Sequence, residues 1–162
     1  MNTFSDNSRV WIYQSNRELT TAEFETLQNK LTAFATEWTA HDNLLKAKAE
    51  VKYNRFIILT VDESQYGASG CSIDKSVRLM KEIENELNIN LFDRFNIAYK
   101  IDQDIYSVSR DEFEKLLTNG ILNEQTIVFN NLVKSKQEFT TMWEVPLKES
   151  WHNQVFASAL SN

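Results

Sequence analysis

The sequence predicts an α+β fold, on three observations. Short runs rich in aromatic and β-branched residues alternate with longer stretches whose apolar residues recur every three or four positions. Ser/Thr-x-x-Glu boxes, which cap helix N-termini, stand at the head of several of those stretches. Only 3 glycines and 1 proline interrupt the 162 residues, so the connections hold no flexible linker. A chain of this length with 42% hydrophobic residues can bury a core without metals or disulfides.

Residues 9–15, Arg-Val-Trp-Ile-Tyr-Gln-Ser, read as a first strand. Thr20-x-x-Glu23 opens a helix in which Phe24, Leu27, Leu31, Phe34 and Trp38 form one apolar stripe. His41-Asp42-Asn43 breaks it, and His41 stands where a C-terminal helix cap belongs. Residues 44–53 alternate apolar with charged and suggest a half-exposed strand. Residues 55–62 are almost continuously apolar, the pattern of a central strand covered on both faces. A second helix follows, with Ile73, Val77, Met80, Ile83 and Leu87 at helical spacing, and residues 93–101 alternate as a further strand. Strand, helix, strand, strand, helix, strand is the βαββαβ order of a ferredoxin-like core. A three-layer α/β arrangement is the alternative if residues 44–53 form a loop.

The last third reads as an added αβα segment. Residues 105–108 are a short strand candidate. Ser109-x-x-Glu112 caps a helix carrying Phe113, Leu116 and Leu117, and Gly120 is its C′ residue. Residues 126–129 suggest a strand, and Ser135-x-x-Glu138 caps a short helix with Phe139, Met142 and Trp143, a unit that Pro146 ends. The expected organisation is a single domain, 1–162, with a core at 9–101 and an extension at 102–162 packed on it.

A net charge of −6 with no Lys/Arg run disfavours nucleic acid and anionic membranes as partners. Aromatic strand residues such as Trp11, Tyr13, Phe56, Phe95 and Tyr99 read as core, not as base-stacking platforms. One cysteine makes no internal disulfide and builds no zinc site, and the polar N-terminus lacks a signal-peptide core. The expectation is a cytoplasmic protein without cofactor or metal. Its partner would be a small anion or a protein, with a homodimer as the other option.

Four segments together resemble a known family: Trp11-Ile12-Tyr13-Gln14-Ser15, Ala68-Ser69-Gly70-Cys71-Ser72-Ile73-Asp74-x-Ser76-Val77, Val128-Phe129-Asn130-Asn131-Leu132-Val133, and Trp143-Glu144-Val145-Pro146-Leu147-x-x-Ser150-Trp151-His152. They are similar to a small family from Bacteroidetes whose members are commonly labelled "ABC transporter ATPase". The resemblance covers nearly the whole chain, and the Ser-Gly-Cys-Ser-Ile-Asp run is its most specific part. The label implies Gly-x-x-x-x-Gly-Lys-Ser/Thr, whose backbone N–H groups and lysine hold phosphates. No such run exists here, and Gly70 is followed by Cys71-Ser72. The residues exclude a P-loop ATPase.

Two of the three glycines and the only cysteine fall within residues 66–76, at the entry to the second helix. Three readings compete there. In the first the segment is a structural turn, with Ser69 or Ser72 capping the helix and Asp74 favourable in its first turn. In the second it binds an anion or small ligand. Gly67 and Gly70 would admit the ligand, Ser69, Ser72 and the amide of Cys71 would donate, and Asp62 and Asp74 would border it. The pair Asp62-Glu63 ends the central strand, where ligands often sit. In the third, Cys71 is a nucleophile, because a helix N-terminus favours the thiolate, with His41 or His152 as base. The tryptophan-rich run at 143–152 reads as a tail docked on its own domain, with Asn130-Asn131 satisfying its backbone. Weighed together, the residues favour a non-enzymatic binding or interaction module over a thiol enzyme or redox sensor, and over a structural homo-oligomer subunit.

Overall fold

The structure, a computed structural model, describes residues 3–160. It is an α+β protein in which every ladder among the described strands is antiparallel. Its internal contacts divide the chain into two compact units. The first holds the described residues through Phe92 together with Lys134–Gln137; the second holds Asp93–Val133 and the described residues from Glu138 onward.

The first unit is built on a sheet of strands β1 (Arg9–Gln14), β4 (Lys46–Lys52) and β5 (Phe56–Asp62) in the order β1-β5-β4. The period of two sends Ile57, Leu59 and Val61 of β5 to one face. In register beside them lie Trp11 and Tyr13 of β1 and Ala47, Ala49 and Val51 of β4. Helix α1 (Thr21–Glu37) lays Leu27, Leu31 and Ala35 on that face, and helix α2 (Gly70–Leu87) adds Leu79, Met80 and Ile83. Each large apolar side chain so enclosed contributes roughly 1.5–3 kcal/mol. Phe56, Ile58 and Thr60 are buried as well, which explains why β5 is an unbroken apolar run.

The Thr20 box forms in full: Thr20 Oγ1 accepts from the Glu23 N–H at 3.1 Å, and Glu23 accepts from the Thr20 N–H at 2.9 Å. Arg17 grips the same carboxylate with two bonds of 2.8 Å, and these hydrogen bonds hold Glu23 down to a pKa of about 2. α1 stops at Glu37 because Trp38 turns extended and donates its indole N–H to the Ser72 carbonyl at 2.8 Å. A small hairpin follows, strands β2 (Thr39–Ala40) and β3 (Asn43–Leu44), turning on His41 (φ 51°) and Asp42 (φ 68°). Two positive-φ residues in a two-residue loop match the strand twist. His41 is therefore a hairpin-turn residue, not the helix cap expected.

The strand expected at 44–53 forms as β4, so the α/β alternative falls away. Strands β1, β4 and β5 take the order β1-β5-β4, in which the third in chain order lies in the middle, as in the first three strands of a ferredoxin-like unit. The strand expected at 93–101 is β6 (Asn96–Ile101), and it pairs in a different sheet, within the second unit.

That second sheet has the order β7-β6-β8-β9, with β7 (Asp104–Ser109), β8 (Ile127–Phe129) and β9 (Glu144–Pro146). Helix α3 (Arg110–Thr118) packs Phe113 and Leu117 against Ile97, Tyr99 and Val128, joined by Ala159 and by Phe156, which lies between the short C-terminal helices α5 (His152–Val155) and α6 (Ala157–Leu160). Ser109 caps α3 through the Glu112 N–H. At its other end Gly120 takes φ 75°, its N–H donates to Leu117 O, and Ile121 N–H donates to Leu116 O. Those two bonds are a Schellman closure, as the glycine predicted. Helix α4 (Lys136–Met142) forms from the Ser135 segment. Pro146 does not simply end that unit: it closes β9, an unforeseen edge strand whose last residue needs no ladder donor.

Candidate functional site

β5 ends in Asp62, whose side chain is almost fully enclosed, at 5% exposure. Its Oδ1 accepts from the N–H of Ser64 at 3.0 Å and from the Ser64 hydroxyl, and its Oδ2 accepts from the Ser5 N–H at 3.0 Å. Lys46 Nζ stands 3.7 Å away. The Ser64 hydroxyl first, then the two backbone donors, with Lys46 a smaller influence, pull the carboxyl down to a pKa of about 2. Asp62 is thus an anchor, ionised at neutral pH, that ties residues 5 and 64 to the strand end. Glu63 closes the next step, accepting the Ala68 N–H at 2.8 Å beside Arg9 at 3.8 Å.

Gly67 has a concrete reason to be glycine: a Cβ there would lie 3.0 Å from Glu63 Oε2. Gly70 does not. It opens α2 with empty space around its missing Cβ, and Gly120 alone among the glycines has positive φ. No contact within the described residues requires a glycine at Gly70.

Ser69 is the N-cap, and Ser72 completes the box from the N3 position. Each hydroxyl meets the other's backbone N–H, at 3.2 and 2.7 Å. Ser72 also donates to Ser69 O at 2.8 Å and is buried. Ser76 is buried too, bonding Ile73 O at 2.6 Å and the phenol of Tyr13, whose pKa burial pushes up. Of the seven residues named for a ligand site, Asp62, Ser69 and Ser72 are thus occupied in holding the chain. Gly67 receives Glu63, and Asp74 is exposed one turn into the helix. What faces solvent is the N–H pair of Gly70 and Cys71, for which no protein acceptor lies within reach among the described residues, with exposed Tyr66 beside them in sequence.

Cys71 is exposed at the second position of α2. His41 is exposed on the β2–β3 turn, where its carbonyl accepts from the Asn43 side-chain amide at 3.3 Å. His152 lies in the second unit at 1% exposure, stacked on Trp151 at 3.7 Å, with Ser150 Oγ 2.8 Å from its Nδ1. Burial drives its pKa down to about 3, so the ring is neutral and enclosed, a packing residue and not a base at a surface. Among the described residues no group of three or more His, Cys, Asp or Glu side chains is placed to hold a metal ion, and no helix is long and apolar enough to cross a membrane.

The tryptophan-rich run is internal to the second unit. Trp143 is buried between Phe129 and Phe139, ring centroids 4.9 and 4.8 Å away, and donates its indole N–H to Asn131 Oδ1 at 2.8 Å. The Trp143 carbonyl accepts from the Asn130 N–H at 2.7 Å, so the asparagine pair does satisfy this segment. Trp11, Tyr13, Phe56 and Tyr99 are core or half-buried; Phe95 precedes β6 and is exposed. Sequence reasoning missed Glu63 as a brace and Gln28, described below. The signal for Glu63 was available in its five-residue spacing to Ala68 across a glycine. No family model, no curated protein and no solved structure matches the chain.

Proposed function

We propose that this chain is a non-enzymatic interaction module that presents the loop at residues 66–76 as a preformed contact surface. One observation carries the reading: Asp62, Glu63, Ser69 and Ser72 are spent bracing the loop and its approach, while its outer rim stays open to solvent. A braced loop loses little entropy when a partner docks. The open donors of Gly70 and Cys71, at the positive end of an 18-residue helix, suit a carboxylate or phosphate oxygen carried by that partner. Asp74 lies beyond the first turn and weakens, without cancelling, that preference.

An amide-resolved NMR titration with inorganic phosphate tests this. The expected result is saturable, millimolar-range shifts centred on the Gly70 and Cys71 amides, retained in Cys71→Ser. Shifts confined to lysine side chains, or none, would end the anion reading. Loss of the response in Cys71→Ser would point to the thiol itself and favour the redox or thiol-enzyme alternative.

A further inference from the structure

The two edges of the first sheet are treated differently. Along β1 the chain returns on itself: Val10 N–H donates to Lys134 O, Lys136 N–H donates to Ser8 O, and Arg9 bridges Ser135. The outer edge of β4 has no strand partner among the described residues. In an antiparallel strand the N–H and C=O of one residue point to the same side. Ala49 O and Val51 N–H point outward, because both are bonded to the side chain of Gln28, at 3.1 Å each. Ala47, Ala49 and Val51 therefore present the open edge. At its start the edge closes, where Leu45 N–H donates to Trp38 O.

Gln28 reaches this edge from α1. Its carboxamide accepts from the Val51 N–H and donates to Ala49 O, filling two main-chain groups that two residues of a neighbouring antiparallel strand would otherwise bond. The same Nε2 also donates to Thr32 Oγ1, 3.1 Å away on its own helix. It can leave the strand and remain hydrogen-bonded. Gln28 is a removable placeholder, and the two bonds it gives up are the two an added strand would supply.

The side chains flanking the edge say what that strand carries. Ala47, Ala49 and Val51 turn inward to the core, so Lys46, Lys48, Glu50 and Lys52 share the other face. A second copy of β4 paired about Ala49 would set Lys48 opposite Glu50 twice but Lys46 opposite Lys52 twice, and like charges opposite each other destabilise. Lysines on an edge deter self-pairing in this way. An acidic strand meets Lys48 and Lys52 against one glutamate, with Lys46 already facing Asp62 at 3.7 Å.

We propose that the β4 edge, from Ala47 to Val51, is a docking site for an extended acidic segment of a partner protein, which adds antiparallel as an outer strand and displaces Gln28. This is β-strand addition, with affinity from main-chain bonds and selectivity from charge.

The probe is a fluorescein-labelled peptide of about eight residues alternating Glu with Val, long enough to span the open edge, with a Lys-for-Glu peptide as control. Anisotropy reads affinity, and amide exchange at Ala47 and Ala49 reads the location. The expected result is binding of the acidic peptide only, with exchange at both amides slowed. Lys48→Glu should weaken it about fivefold, and Gln28→Ala, a substitution suited to a helix, should tighten it. The proposal is overturned if the lysine peptide binds equally, or if binding leaves Ala47 and Ala49 unprotected. It also fails if Gln28→Ala weakens binding, or if sedimentation shows the chain self-associating with those amides protected, which would make a second copy the occupant.

Discussion

Asp62→Asn isolates the anchor on which the loop depends. The Asp62 carboxyl sits at about 2, against an ordinary 3.8. By linkage a depression of that size is worth about 2 kcal/mol. The sign follows from the proton count. Above the unfolded value, near 4, both states are ionised and the whole contribution is present. As pH falls toward about 2 the unfolded chain takes up its proton first, and the contribution is lost. Asparagine keeps the shape and one acceptor, yet it must aim an N–H at either Ser5 or Ser64, both of which donate. The expected loss is about 2–3 kcal/mol at neutral pH, measured by urea denaturation as a shift in midpoint at constant slope. The gap between variant and parent should narrow from about pH 4 downward; other acid-sensitive groups affect both proteins and cancel. Lys46→Ala should cost under about 1 kcal/mol, because Lys46 is half exposed at 3.7 Å and a pair of that kind is screened. A gap below about 0.5 kcal/mol at neutral pH, or one that stays constant between pH 6 and 3, would refute the argument that ionised Asp62 holds the loop.

The two loop glycines should part company: Gly67→Ala should destabilise by about 1 kcal/mol as Glu63 gives up the Ala68 N–H. Gly70→Ala should be neutral or stabilising by up to ~1 kcal/mol, and denaturation midpoints check both. The His152 imidazole should keep the NMR signature of a neutral ring through pH 5, with protonation near 3. Since its folded pKa lies below the unfolded 6.5, stability should fall as pH drops from about 6.5 toward 3; a protonated ring in the native state at pH 5 would contradict its enclosure.

How much of this was legible in the sequence depends on the range of the interaction that decides each feature. Thr20-x-x-Glu23 and the Gly120 closure are settled within one turn of chain, and both form as their residues predict. The continuous apolar run of β5 announces two covered faces, because any polar residue there would be left without water. By contrast, α1 ends before His41 because the Trp38 indole seeks a carbonyl 34 residues away, and no local signal encodes that. Alternation at 93–101 tells that a strand has one wetter face, but not which sheet receives it. That choice is made by the pairing of β6 with β7 across a tight turn at Asp102 (φ 55°).

The candidate site divides along the same line. Ser69 and Ser72 were named as capping or binding residues on residue type alone, and the structure assigns them to each other. Carboxylates at a strand end serve chemistry only when their lone pairs are free. Asp62 is filled by donors from residues 5 and 64, one 57 positions distant, and the sequence cannot display a donor so remote. Gln28 makes the converse case. A glutamine on the flank of an apolar stripe reads as an ordinary half-exposed helix residue, until the strand beneath it is found to lack a neighbour. Both residues satisfy main-chain N–H groups that would otherwise need water or another strand. They differ in the cost of release. Asp62 is enclosed and charged, so removing it strands a set of donors. Gln28 is neutral, half-exposed and also bonded to Thr32 on its own helix, so its withdrawal from the strand costs less, and a surface meant to exchange one strand-like partner for another requires that property.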